Sequence, residues 1–122
     1  MKLQTIETHI VKTPPPGFGG RYFIFVVLQT ACGIRGYGEI YAASFAPEIV
    51  STMAADVFGR YLEEQNPFEI ERFWRRAHGS GFSHRPDLSM QGVVSGLEMA
   101  CWDIVGKALD RPVYDLLGGK VN

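Results

Sequence analysis

Residues 89–109 constrain the fold more than any other stretch of this chain. Met90, Val93, Val94, Leu97, Cys101, Ile104, Val105 and Ala108 recur at helical spacing and make one continuous face. Met99, Ala100 and Trp102 fall outside that stripe and are apolar too. A helix that is apolar nearly all round must be covered nearly all round. Gly92 and Gly96 sit one turn apart and allow another element to pack very close. The rest of the chain offers little to supply that cover. One small sheet and two further helices are hardly enough, so the chain is expected to present an apolar surface to a second domain or subunit.

The strands precede the helices. The first strand is read at 2–12, with Ile6 and Ile10 on one face, and it ends at Thr13-Pro14-Pro15-Pro16-Gly17-Phe18-Gly19-Gly20. Three prolines stiffen the start of that loop and three glycines loosen its end. The second strand, 21–30, has seven successive apolar residues from Tyr22 to Leu28, which predicts a strand covered on both faces. Ala31-Cys32-Gly33 makes a tight turn into a third strand at 34–42. Gly36 and Gly38 within it indicate either a bulge or a close backbone approach. Together these are an antiparallel meander.

A first helix is expected from Pro47 to Glu64, with Ile49, Val50, Met53, Val57, Tyr61 and Leu62 as its apolar stripe. Asn66, Pro67 and Glu69 carry the spacing of a capping box and predict a second helix starting at Pro67 and ending at Gly79. A loop covers 80–88, the long helix follows, and a short one over 112–117 stops at Gly118-Gly119. The fold class is therefore α+β: a three-stranded antiparallel meander at 1–45, then a bundle of three to four helices at 46–119, in one domain over 1–122.

At 122 residues the chain holds one compact domain but not a complete (β/α)₈ barrel, which needs about 200 residues or more. Twelve basic against thirteen acidic residues give a formal net charge of −1, so no bulk field draws the chain to nucleic acid or to an anionic membrane. The longest apolar run is too short to span a bilayer. Cys32 and Cys101 lie far apart with no CxxC spacing, and no signal peptide is apparent; a cytoplasmic setting is expected, with Cys101 a buried small hydrophobe.

Little in the chain carries chemistry by itself. His9, His78 and His84 form no HExxH or HxH pattern, so no metal ligand is assigned. His84, beside Arg85 in a loop, is the one histidine kept as a functional candidate. No GxSxG elbow or Walker sequence is present. Gly17-Phe18-Gly19-Gly20 precedes a strand rather than a helix, which is the wrong context for a phosphate loop. It is either a plain hairpin loop or a mobile lid with Phe18 at its tip. Glu39 could pair with Arg35 or Arg21, or point into a site. Asp103 and Lys107, four residues apart in the apolar helix, are expected to form a buried or interdomain ion pair. No nucleophile, base and orienting group occur together, so no catalytic residue is assigned.

Four segments carry a family resemblance: Gly33-Ile34-Arg35-Gly36-Tyr37-Gly38-Glu39; Asn66-Pro67-Phe68-Glu69-Ile70-Glu71-Arg72-Phe73-Trp74; the run from Ser95 to Ala108; and Pro112-Val113-Tyr114-Asp115-Leu116-Leu117-Gly118-Gly119. In this order they resemble the N-terminal capping domain of the enolase superfamily, in its mandelate racemase/muconate lactonizing enzyme branch, nearest the acid-sugar dehydratases. Tyr37 stands where Trp is common and Cys101 where Leu is common. The resemblance implies a partner (β/α)₇β barrel that holds Mg²⁺ on three carboxylates and removes the proton α to a substrate carboxylate, followed by dehydration or racemisation. It implies two specificity loops here, Pro16, Gly17, Phe18 and Gly19 in the first and Tyr41, Ser44 and Phe45 in the second, and no Mg²⁺ ligand in this chain. A sugar acid or other α-hydroxy carboxylate is the implied substrate of the full enzyme, and a homo-oligomer its expected state. This chain alone is expected to be inactive, as a fragment or isolated domain. The competing reading is a stand-alone, non-catalytic module that dimerises or binds a partner through its apolar helix.

Overall fold

A computed structural model describes residues 1–17, 21–42, 46–79 and 87–121. Strands β1 (Leu3–Lys12), β2 (Tyr22–Thr30) and β3 (Arg35–Ile40) form one antiparallel sheet in the order β1-β2-β3. Four helices follow: α1 (Pro47–Tyr61), α2 (Ile70–His78), α3 (Leu88–Leu109) and α4 (Val113–Leu116). The expected α+β meander-then-helices architecture is thus present.

The ladder is continuous from Ile24↔Ile40 to Gln29↔Arg35, so β3 contains no bulge. Its glycines serve a close approach instead. A Cβ added to Gly36 would lie 2.1 Å from the Ala100 carbonyl oxygen, and one on Gly38 would lie 2.0 Å from that of Gly96. From the other side, a Cβ on Gly96 would meet Ile40 and the Glu39 carbonyl, and one on Gly92 the Tyr41 carbonyl. Backbone therefore packs on backbone along the whole β3–α3 contact. The free edge of β3 is closed by α3 side chains: the Tyr37 N–H donates to Asp103 Oδ2 at 2.9 Å, and Lys107 Nζ donates to the Arg35 carbonyl at 2.8 Å. The unpaired strand edge is satisfied without another strand.

The core lies between the sheet's inner face and the helices. Ile24, Val26 and Leu28 face Val93, Leu97, Ile104 and the buried stripe Val50, Ala54, Val57 and Phe58 of α1. The outer face of β2 departs from the prediction. Val27 is buried, but Phe25 remains 39% exposed, because the helices cover only one side of the sheet. Phe23 and Phe25 share that outer face, their rings stacked with centroids 6.3 Å apart.

Three helix boundaries need correction. α1 ends at Tyr61, not Glu64, because the chain turns back there to pair with the start of β1. Glu64 N donates to the Leu3 carbonyl and Leu3 N to the Gln65 carbonyl, both at 2.9 Å. Ile49, placed in the apolar stripe by its spacing, is exposed. The capping box at Asn66 is absent. Asn66 Oδ1 accepts from Phe68 N in a local turn, Glu69 reaches forward to Arg72 at 2.7 Å, and α2 begins only at Ile70. α3 starts one residue earlier than expected, and its cap is Asp87, whose carboxylate accepts from Ser89 N and Met90 N at 2.9 and 3.2 Å.

The two thiols differ in environment. Cys101 is buried, which pushes its thiol up to about 12, whereas the exposed Cys32 is drawn down by its hydrogen bond with Thr30 Oγ1. Thiolate is the reactive species, so a thiol reagent at neutral pH should titrate one group in the native chain and both in denaturant. Two equivalents reacting rapidly under native conditions would mean that α3 is not packed as described.

Candidate functional site

The sheet register brings the candidate loops together. Ile10, Ile24 and Ile40 lie in one row across the sheet. The β1–β2 connection and the exit of β3 therefore leave from the same end. Gly92 packs against Tyr41, which places the first turns of α3 at that end as well, together with the start of α1.

Pro16 and Gly17 are placed in the β1–β2 connection. Gly17 has φ +75° and donates to the Pro14 carbonyl at 2.9 Å. The neck below is closed by Thr13 N and Thr13 Oγ1, which both donate to the Arg21 carbonyl, at 3.1 and 3.2 Å. Tyr41 is 74% exposed at the exit of β3. Phe18, Gly19, Ser44, Phe45, His84 and Arg85, also expected in or near the site, lie outside the described residues.

Glu39 does not make the pairs considered for it. It sits on the outer face of the sheet opposite Phe25, and among the described residues its side chain has no hydrogen-bonding or ionic partner. Arg35 lies four residues along the same strand, about 13 Å away at ordinary strand rise, and turns to Glu7 at 3.1 Å. The Asp103–Lys107 pair forms at 2.7 Å, but it closes the edge of β3 in a partly exposed position and is not buried.

Two groupings were not visible in the sequence. Glu98 on α3 accepts hydrogen bonds from both indoles, Trp74 Nε1 on α2 and Trp102 Nε1 on α3, the latter at 3.2 Å. Trp74 in turn lies against the His78 ring, with centroids 4.9 Å apart. This ties α2 to α3 through one carboxylate. The second grouping is Lys12 and Arg21, which line one hollow at the loop neck.

Among the described residues, no group of three or more His, Cys, Asp or Glu side chains is placed to hold a metal ion. No described helix is long and apolar enough to cross a membrane. Several large apolar side chains of the C-terminal helices stay exposed: Leu88, Met99 and Leu109 on α3, Tyr114 on α4, then Leu117 and Val121.

Residues 6–118 match the family model described as mandelate racemase/muconate lactonizing enzyme, N-terminal domain. A candidate enzyme of that name from Labrenzia alexandrii DFL-11 is 58% identical, superposes with a TM-score of 0.94, and is covered over 32% of its chain by all of this one. The enzyme from Sulfitobacter sp gives 53% identity, a TM-score of 0.92 and cover of 100% and 31% of the two chains. The D-galactonate dehydratase of Pectobacterium atrosepticum is 34% identical over 121 residues, 99% of this chain and 29% of the relative. The chain thus spans about a third of the length of the relatives it matches.

Proposed function

Because the chain belongs to the mandelate racemase/muconate lactonizing enzyme family, as its N-terminal domain, we propose that it caps the mouth of a C-terminal catalytic barrel and selects the substrate there, a sugar acid. One observation carries this reading. The β1–β2 loop, the exit of β3 and the start of α3 converge at one end of the sheet, so one face of a rigid scaffold can present several variable loops to a single ligand. The exposed apolar side chains Leu88, Met99 and Leu109 of α3, Tyr114 of α4 and Leu117 are available to a second domain, in keeping with relatives about three times as long.

In this reading the acid–base groups and any Mg²⁺ belong to the barrel, where a bound Mg²⁺ would supply Lewis-acid stabilisation of the negative charge that develops on a substrate carboxylate. This domain's share is positioning and water exclusion: its loops close over the non-reacting part of the sugar and convert that binding into discrimination in kcat/KM. The D-galactonate dehydratase relative favours dehydration over racemisation as the outcome. The stand-alone module remains the competing reading; it requires a stable, monodisperse oligomer that needs no barrel to cover its apolar stripe.

The test is a chimera in which this chain replaces the matching N-terminal third of the Labrenzia alexandrii relative. Phe18→Ala in that chimera should change the ratio of kcat/KM between sugar acids by several-fold to about tenfold, the scale of one apolar contact in a pocket. Identical ratios before and after the change would return the β1–β2 loop to a plain hairpin.

A further inference from the structure

The two edges of the sheet are finished differently. At β3, Asp103 and Lys107 of α3 take up the outward N–H of Tyr37 and the outward carbonyl of Arg35. At β1, the chain closes only the first residue, where Leu3 N donates to the Gln65 carbonyl and Glu64 N to that of Leu3. Which groups the rest of this edge presents follows from the register. In an antiparallel ladder, hydrogen-bonded and non-bonded pairs alternate. Thr13 N donates to the Arg21 carbonyl opposite it, and on the other side of β2 Thr30 N donates to the Ile34 carbonyl. The odd-numbered residues of β1 therefore bond β2, and Ile6, Thr8 and Ile10 turn their N–H and C=O outward. Among the described residues, nothing hydrogen-bonds these outward groups.

The usual guards against strand pairing are missing here. Between Gln4 and Val11 there is no proline and no lysine, and the ladder from Thr5 to Lys12 contains no bulge. Ile10 is 37% exposed and Ile6 is only partly buried, although both lie on the core face opposite Ile24 and Leu28. The strand also matches itself. A second copy running antiparallel about a two-fold axis at Thr8 sets Thr8 opposite Thr8, Ile6 opposite Ile10 and Glu7 opposite His9. Ile6, Thr8 and Ile10 each exchange two backbone hydrogen bonds with the residue opposite, about six in all. On the outer face, His9 Nε2 already lies 3.5 Å from Glu7 Oε2 within one chain. The paired strands would thus alternate carboxylate and imidazole both along and across the axis. Sliding the copies by two residues sets Glu7 against Glu7 in one direction and His9 against His9 in the other, so the charges select the central register. Pairing ends with Val11 opposite Thr5, short of Leu3, where Glu64 and Gln65 hold the edge.

We infer that the free edge of β1 pairs with β1 of a second copy of this chain, antiparallel about Thr8, joining two three-stranded sheets into one of six strands. The inference goes beyond the capping reading and does not rest on it. A strand of another protein could satisfy the same backbone groups, but the match of Glu7 to His9 and of Ile6 to Ile10 is to this sequence itself. The two-fold axis sends the loop ends of the two protomers to opposite ends of the joint sheet. α3 packs on β3 and β2, toward the other edge, so its exposed apolar side chains stay clear of the contact.

The test is the association of the 122-residue chain and the register of its contact. Sedimentation velocity should show a reversible dimer whose share rises with concentration. Ile10→Pro removes an outward N–H and spares the ladder to β2. His9→Glu, at an exposed position, sets acid against acid across the axis. Each should weaken the dimer by about tenfold or more. Circular dichroism checks that each is folded, and His9→Glu decides alone if Ile10→Pro is not. In a Cys32→Ser background, with Cys101 buried, Thr8→Cys should form a disulfide between copies under mild oxidation, because residues paired at the axis lie about 5.5 Å apart at Cα. Ile10→Cys should not, being displaced roughly 14 Å along the strands from its own copy. A chain that stays monomeric up to about 1 mM, a dimer weakened by neither folded variant, or cross-linking no faster at position 8 than at position 10 would overturn the inference.

Discussion

Gly38→Val should unfold this domain or leave it barely folded. The first added carbon alone would sit 2.0 Å from the Gly96 carbonyl oxygen and 3.1 Å from the Ala100 nitrogen, both backbone atoms that cannot rotate away. Relief requires β3 and α3 to separate, and that separation would also break the Tyr37–Asp103 and Arg35–Lys107 links at the strand edge. Overpacking in a core costs roughly 1–3 kcal/mol where side chains can yield; here, with backbone on both sides, the loss should exceed about 3 kcal/mol. Against a total stability of about 5–15 kcal/mol for a domain, that is a large fraction. Thermal unfolding should show a Tm lower by roughly 12 °C or more, or no cooperative transition. Gly59→Ala is the matching control. Gly59 lies in α1, and the nearest atom to its added carbon is Glu63 Oε2, at 4.0 Å. That change should stabilise the chain by about 0.5–1 kcal/mol through helix propensity. A tolerated Gly38→Val would show that β3 does not ride on α3.

Leu97→Ala should cost nearly as much by the opposite route. Leu97 is fully buried on α3, in the cluster with Leu28, Val93, Cys101 and Ile104. Removing three carbons leaves a void that close-packed neighbours fill only partly, and such changes cost about 2–5 kcal/mol. Leu109→Ala, on the same helix but 48% exposed, should shift stability by less than about 1 kcal/mol in this chain. Chemical denaturation of the two variants side by side separates the covered face of α3 from the uncovered one. Equal losses would mean that Leu109 is already packed against something within the chain.

The parts of the fold that were legible in sequence were those written as local pattern. The meander follows from three apolar runs and one tight turn, and the close approach at Gly36, Gly38, Gly92 and Gly96 follows from glycines placed where strand and helix would otherwise favour side chains. What failed depended on partners distant in sequence. Glu64 and Gln65 leave the helix because Leu3 offers them backbone partners about sixty residues away. Asn66-Pro67-Phe68-Glu69 has the composition of a helix start, yet the same side chains also make a turn, and propensity alone does not choose between the two. Asp87 was absorbed into the preceding loop, although its spacing to Ser89 and Met90 is that of an N-cap. The candidate site was legible as loops and not as a place. Pro16, Gly17 and Tyr41 can be named from sequence, but that their segments leave one end of the sheet is a property of register.

The central claim, that this domain selects the substrate of a barrel it does not contain, is tested most directly by steady-state turnover of a panel of aldonic and aldaric acids. The panel is run on the 122-residue chain, on the chimera with the Labrenzia alexandrii relative, and on that relative unaltered. The account predicts no turnover by the chain alone, turnover by the chimera, and an order of preference in the chimera that differs from that of the unaltered relative. Turnover by the chain alone, or a chimera that ranks every acid as its parent does, would contradict it.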